Sequence, residues 1–343
     1  MKRSLSLLIS LLILAAIYWK IDFQSLIQVF QNCDRPWMVI SLGMVVPITM
    51  MTAWRLQQLM PERGMGDGQR GIGDRRQAAG KNSKLKTQNS ELKTLSFPEA
   101  NRLILVASTL NMVLPSKMGD IAKAYFMRER GHLSGSLALS LVVFEKACDM
   151  LSLLLWCAFG LLLYPQKDWF FWIMLVGVGV GFVGGGLVLG SRQFAQHFFL
   201  LGQKVAPKPI KAALLKLQTA WQEMHEYFWS DCPQLLKITL TSVFLWFLHL
   251  LQIWFFILAL NAWTPFITNL ALSPLAILAG LLPLTFAGVG TRDAALIFLY
   301  APYFNAATAA ALGVLCTSRY LIPAIAGLPF LNQFMATVRT LQK

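Results

Sequence analysis

Apolar residues along this chain come in long runs and do not alternate with polar ones. Half-buried strands would read as alternation, so the pattern points to helices. A helix needs about 20 apolar residues to cross a hydrocarbon core. Six stretches are read as spans: Ser4–Trp19, Trp37–Trp54, Leu133–Tyr164, Trp169–Gly190, Ile238–Leu260 and Ala306–Phe334. Two further apolar stretches are short and interrupted. Leu103–Leu114 stops at Pro115, Ser116, Lys117, Met118, Gly119 and Asp120. Leu270–Leu284 is broken by Pro274 and Pro283, passes through Ala287–Asp293 and returns briefly over Ala294–Ala301. Each is expected to enter the membrane and turn back. The expected fold is therefore an all-α polytopic integral membrane protein. It has about six spanning helices plus two broken re-entrant hairpins in an inverted arrangement, within one membrane domain, 1–343.

Two polar stretches interrupt the apolar pattern. Residues 63–94 are basic and Gly-rich without apolar periodicity. They read as a disordered cytoplasmic insertion, because they hold little apolar surface to bury. Residues 192–237 read as a basic cytoplasmic loop, with an amphipathic surface helix around Ile210–Phe228. The start, Met-Lys-Arg and then an apolar run, resembles a signal peptide. No small-residue cleavage site follows, so a retained first helix is expected.

Charge supplies the orientation. The chain is 56% hydrophobic and only 13% charged, with a net charge of +14. A soluble domain carries about 25% charged residues. The positive charge lies mainly in the two polar stretches and at the chain ends, as cytoplasmic segments of membrane proteins require. Placing both termini in the cytoplasm, with the first hairpin entered from inside and the second from outside, puts every strongly basic segment on one side. The expected location is the plasma (cell) membrane. Each half then reads span, hairpin, charged span, in opposite orientations, the inverted-repeat logic of many transporters.

The charge also raises the question of nucleic acid, but no basic and aromatic constellation for it is present. Cys33, Cys148, Cys157, Cys232 and Cys316 lack metal-ligand spacing, and the four histidines are scattered. No metal and no cofactor is expected. Gly66-x-Gly68-x-x-Gly71 and Gly179-x-Gly181-x-x-Gly184 match a dinucleotide pattern without its strand–helix context. In the second, Gly177, Gly181 and Gly185 form a small-residue stripe suited to close helix packing.

Three groups are candidates for a lipid path. In the first hairpin, Pro115 stops a half-helix, Gly119 permits a tight turn, Asp120 is placed to cap the next half-helix, and Lys117 and Lys123 are placed to meet an anionic headgroup. In the second, Gly288 and Gly290 allow close backbone approach and Thr291 is placed to cap a short helix. Arg292, beside Asp293, suits bidentate pairing with phosphate. The third group is Glu145, Lys146 and Asp149, inside a span. Glu145 and Asp149 share a helix face, and Lys146 is placed to partner either. An ionised group at mid-membrane costs on the order of 3 kcal/mol on insertion scales, so such groups face a cavity or one another. Arg319, mid-span in the other half, is the expected opposite charge. Each group also has a plain reading: a surface loop, a local Arg–Asp pair, or an ion-pair lock between helices.

The run Asn111–Asp120, then Lys123-Ala124, then Glu145-Lys146-x-x-Asp149 resembles the flippase-like transmembrane domain of lysylphosphatidylglycerol synthases. That domain is related to the membrane part of an archaeal dolichol-phosphate glycosyltransferase family. Ala287–Asp293 looks like the family's second Gly-rich motif, and Trp54-Arg55 is similar to an aromatic–Arg pair in it. Family members often carry Arg where Lys146 stands and Glu where Asp293 stands, swaps that keep charge and alter reach. The resemblance implies translocation of a lipid or lipid-linked product. Its aminoacyl-transfer and glycosyl-transfer domains have no counterpart among these residues, and no catalytic constellation emerges, so neither chemistry is expected. The expected partners are membrane lipids, anionic or phosphate-bearing. Two other readings stay open: an accessory subunit of a lipid-modifying enzyme, and an intramembrane lipid-modifying enzyme.

Overall fold

A computed structural model describes residues 23–60, 95–113, 118–131, 135–164, 167–229, 231–281 and 290–332. The expected first span Ser4–Trp19, the insertion 63–94, and the candidates Pro115, Lys117 and Gly288 lie outside the described residues.

Among the described residues every regular element is a helix. The chain runs α1 (Phe23–Gln31), α2 (Arg35–Gly43), α3 (Val45–Leu59), α4 (Phe97–Val113), α5 (Met118–Gly131), α6 (Gly135–Leu163) and α7 (Trp169–Gly190). It continues α8 (Arg192–Val205), α9 (Lys208–Trp229), α10 (Cys232–Ala259), α11 (Phe266–Leu281), α12 (Thr291–Tyr300) and α13 (Ala306–Gly327). Short polar residues start many of these helices. Asp34, Asp168, Asp231 and Asn305 each accept a bond from the backbone N–H three residues on, satisfying a donor the helix leaves open.

Among the described residues, five stretches are long and apolar enough to cross a membrane: Arg35–Leu59, Leu137–Leu163, Trp169–Gly190, Cys232–Ala259 and Ala306–Phe330. They coincide with five of the six spans read from the pattern. The protein is thus a polytopic helical membrane protein. Helix α7 makes the physical case most directly. Only 6% of its apolar window is buried in the protein, and Trp172, Ile173, Val176, Val180 and Val183 all face outward. Such a surface would aggregate in water and is at home in lipid. Trp169, Trp172 and Trp263 stand exposed toward one end of the bundle. Trp54 lies under the Lys237 ammonium at the other, as interfacial aromatic belts do.

The hairpins are helix pairs, α4 with α5 and α11 with α12. Their packing repeats. α4 packs on α13, and its counterpart α11 packs on α6. α5 packs on α6, and α12 on α13. α3 packs on α4, and α10 on α11. The two long helices α6 and α10 run through two separate hydrophobic clusters. Their N-terminal halves (Leu141, Phe144 and Ile238) join α3, α4 and α5. Their C-terminal halves (Leu153, Cys157, Ile253 and Phe256) join α11, α12 and α13. The hairpins therefore sit toward opposite ends of the bundle.

Three details differ from the sequence reading. Pro274 does not break its segment, because α11 continues through it from Phe266 to Leu281. A proline inside a membrane helix is tolerated where neighbours occupy the groups it frees, and α11 is buried along nearly its whole length. α4 begins at Phe97, before the apolar run does, because Ser96 and Glu99 close its first turn with a bond between their side chains of 2.9 Å. The segment 192–237 holds two packed helices where one surface helix was expected. Phe199 of α8 sits against Trp221 of α9; α9 is the expected amphipathic helix, with Ile210 and Leu215 outward, and α8 adds a second outward stripe of Phe194, Phe198, Leu201 and Val205.

Candidate functional site

The first cluster is built where α3, α5, α6 and α10 meet. Glu145 and Asp149 lie one turn apart on α6, as their spacing requires. Their main partner is Arg55 of α3. Its Nη2 donates to Glu145 Oε1 at 2.9 Å and to Asp149 Oδ2 at 3.3 Å; its Nη1 donates to Asp149 Oδ1 and, at 3.0 Å, to Ser242 Oγ of α10. Lys123 of α5 pairs with the other oxygen of Glu145. Arg55, Lys123 and Glu145 are all buried. Glu145 and Ser242 each lie ten residues into their helices, about 15 Å of rise, so the cluster sits well inside the bundle.

Two expected partnerships are corrected here. Arg319 does not neutralise the α6 acids; Arg55 and Lys123 do, because α5 and α3 flank α6 at that level. Lys146 does not pair with Glu145 or Asp149. It is a quarter-turn round α6 from Glu145 and reaches Asp120 at the start of α5, at 3.3 Å. Lys146 is half-exposed, so this outer pair is worth at most about 1 kcal/mol.

Gly119 allows α5 to approach α4. Its N–H donates to Asn111 Oδ1 at 3.0 Å, and a Cβ there would lie 2.1 Å from the Ala107 carbonyl oxygen. The first hairpin is thus closed by glycine and tied to α6 by charge.

The second cluster surrounds the start of α12. Gly290 precedes it with φ of 103°, in the region that favours glycine. Thr291 is the first helical residue, so it is not the cap expected of it. Asp293 takes that part, accepting the Gly290 N–H at 3.1 Å. Arg292 is buried and engaged through its Nε and Nη2. It donates to Asp293 Oδ1 at 3.0 and 2.8 Å, to the Gly313 carbonyl at 2.9 Å and to Thr317 Oγ1 at 2.8 Å. The Arg–Asp pair is therefore an internal brace between α12 and α13. Glycine again sets the distance: Gly280 faces Arg292, and Gly313 faces Asp293. Nearby, Asn269, Ser273 and Tyr300 form a closed buried network that also holds the Leu250 carbonyl of α10.

Arg319 lies on α13, buried, with Nη2 donating to its neighbour Tyr320 Oη at 3.1 Å. Its Nε and Nη1 have no hydrogen-bond partner among the described residues.

The glycine contacts give a direct test. A Cβ at Gly327 of α13 would lie 2.3 Å from both the Leu105 carbonyl oxygen and Thr109 Oγ1 of α4. Gly327→Ala should destabilise by about 1–3 kcal/mol, the usual cost of overpacking. Gly177 of α7 has nothing within 4 Å, so Gly177→Ala should be neutral or gain up to about 1 kcal/mol of helix propensity. Thermal unfolding in detergent compares the two; equal losses would refute the close packing. The expected glycine stripe is thus only partly a packing surface, since Gly181 and Gly185 meet Leu154 and Leu151 while Gly177 faces open space.

A family model described as "Lysylphosphatidylglycerol synthase TM region" matches residues 3–327. No curated protein matches the chain, and no solved structure does.

Proposed function

Because the chain belongs to the family of lysylphosphatidylglycerol synthase transmembrane regions, we propose that it moves a lipid or a lipid-linked product between the leaflets of the cell membrane. One observation carries the reading. Two glycine-closed helix pairs sit at opposite ends of one bundle; the first is tied to α6 by a buried ion pair, and the second to α13 by Arg292, which donates to the Gly313 carbonyl and Thr317 Oγ1. A headgroup crossing a bilayer needs a polar route through protein, because unpaired polar groups are not stable in hydrocarbon. The two clusters supply polar stations on the two sides of the midplane. Their ion pairs can exchange partners without exposing a charge to lipid.

In this reading both termini are cytoplasmic and the basic segment 192–237 lies against the inner leaflet. The reaction needs no bond chemistry from the chain. Its work is to lower the barrier to headgroup passage, and its partners are anionic or phosphate-bearing lipids.

Purified protein in liposomes holding fluorescent phosphatidylglycerol or phosphatidylcholine should make inner-leaflet label accessible to an external quencher faster than protein-free liposomes do. Glu145→Gln and Asp149→Asn should slow it more than they lower folded yield. Rates equal to protein-free vesicles, for every lipid tried, would end the proposal.

A further inference from the structure

The two clusters leave one charge over. In the first, Arg55, Lys123 and Lys146 are matched by Glu145, Asp149 and Asp120. In the second, Arg292 is matched by Asp293. Arg319 has no carboxylate within ion-pair distance among the described residues. The carboxylates of the two clusters are committed elsewhere: Asp293 to Arg292 and the Gly290 N–H, and Glu145 and Asp149 to Arg55 and Lys123.

The unmatched groups converge. Helices α3, α10 and α13 pack on one another. Each brings a buried nitrogen without a partner among the described residues: Nε of Arg55, Nδ1 of His249, and Nε and Nη1 of Arg319. His249 lies within electrostatic reach of both arginines. Arg319 is only 7% exposed, whereas Tyr320, which its guanidinium overlies at 5.2 Å, is 50% exposed. The cluster is thus sealed within the bundle on one side and adjoins the outer surface at Tyr320.

A buried guanidinium with idle donors is costly unless an acceptor meets them. Nη2 keeps a second hydrogen beside the Tyr320 bond, and together with the idle Nε–H or Nη1–H next to it this can meet two oxygens of a phosphate. Arg55 Nε adds a donor from another direction, and His249 does so in its Nδ1-protonated tautomer. We propose that Arg319, with His249 and the Nε edge of Arg55, binds a single phosphate group between α3, α10 and α13. The inference deepens the translocation reading and rests on it for the lipid as the source of that phosphate. The phosphate supplies the counter-charge that the chain withholds from Arg319. The matched clusters on either side keep their pairs while it is bound.

The test uses the full chain in detergent and phosphate-free buffer, read by thermal unfolding. The probes are dioctanoyl phosphatidylglycerol, dioctanoylglycerol as the same tails without phosphate, and inorganic phosphate. Phosphatidylglycerol should raise Tm and dioctanoylglycerol should not. Arg319→Gln should weaken phosphatidylglycerol binding at least tenfold and raise the Tm of the ligand-free protein, because it removes a lone buried charge. Arg319→Lys keeps the charge but not the forked donors, so it should weaken binding while folding as the parent does. If inorganic phosphate gives the same Arg319-dependent shift, the site takes free phosphate as well; if only the lipid does, the headgroup is the ligand. The site is overturned if both arginine variants bind phosphatidylglycerol as the parent does, or if Arg319→Gln lowers ligand-free Tm with binding intact. Transport without Arg319-dependent binding would reject the site and leave translocation standing. Arg319-dependent binding without transport would do the reverse.

Discussion

Arg55→Gln should cost about 3–5 kcal/mol of stability, the usual price of leaving a buried counter-charge unpaired. The guanidinium engages both α6 carboxylates and Ser242. A glutamine is shorter and neutral, so Asp149 loses its cation and Glu145 keeps only Lys123. The loss should show as a large fall in Tm in detergent. Because the damage lies in the uncompensated acids, Asp149→Asn added to Arg55→Gln should restore part of it, with a coupling of about 1–3 kcal/mol in the double-mutant cycle. Additive effects would mean that Arg55 and Asp149 do not share an interaction. Arg319→Gln provides the contrast, since removing an arginine with no carboxylate partner should not destabilise at all.

The fold was legible because bilayer burial writes itself into run length. Helix α7 appears in the sequence at its true bounds and α6 within two residues of them, whereas α10 begins six residues before its apolar run and α13 ends before its run does. Pro274 misled because the rule that proline ends a helix assumes water-exposed surroundings, whereas α11 is buried against α6, α10 and α12. The site was legible in its acids and not in their partner. Glu145 and Asp149 are conspicuous because carboxylates are rare inside a span. Arg55 is not, because an arginine at the end of an apolar run looks like any cytoplasmic flanking cation. Only the continuation of α3 to Leu59 shows that Arg55 lies a turn inside. Arg319 was assigned to the acids by complementarity alone, and the sequence carries no information on which of two buried arginines faces them. His249, in the middle of an aromatic run, gave no signal separable from a packed core histidine.

Cysteines placed at the ends of the two hairpins should react from opposite sides of the membrane. Met112, next to the last residue of α4, is 49% exposed, and Leu281, the last residue of α11, is 47% exposed. Both are therefore reachable by a small polar thiol reagent. The native chain supplies the reference points. Cys232 is exposed at the start of α10, while Cys33 lies beside Asp34, whose N–H bonds Ala259 at the other end of α10. The helix between them has 28 residues, about 42 Å of rise, so the two thiols mark the two faces. Cys148, Cys157 and Cys316 are buried and should stay silent. In cells, a membrane-impermeant reagent should label Cys33 and not Cys232. With the native cysteines replaced, it should label Leu281→Cys directly and Met112→Cys only after permeabilisation. The first hairpin shares its core with the N-terminal halves of α6 and α10, the second with their C-terminal halves. Labelling of both positions from one side would require a hairpin to cross the bilayer completely, which α4 and α11, with 17 and 16 residues, are too short to do without the helices that follow them. That result would break the inverted arrangement and remove the main physical ground for translocation.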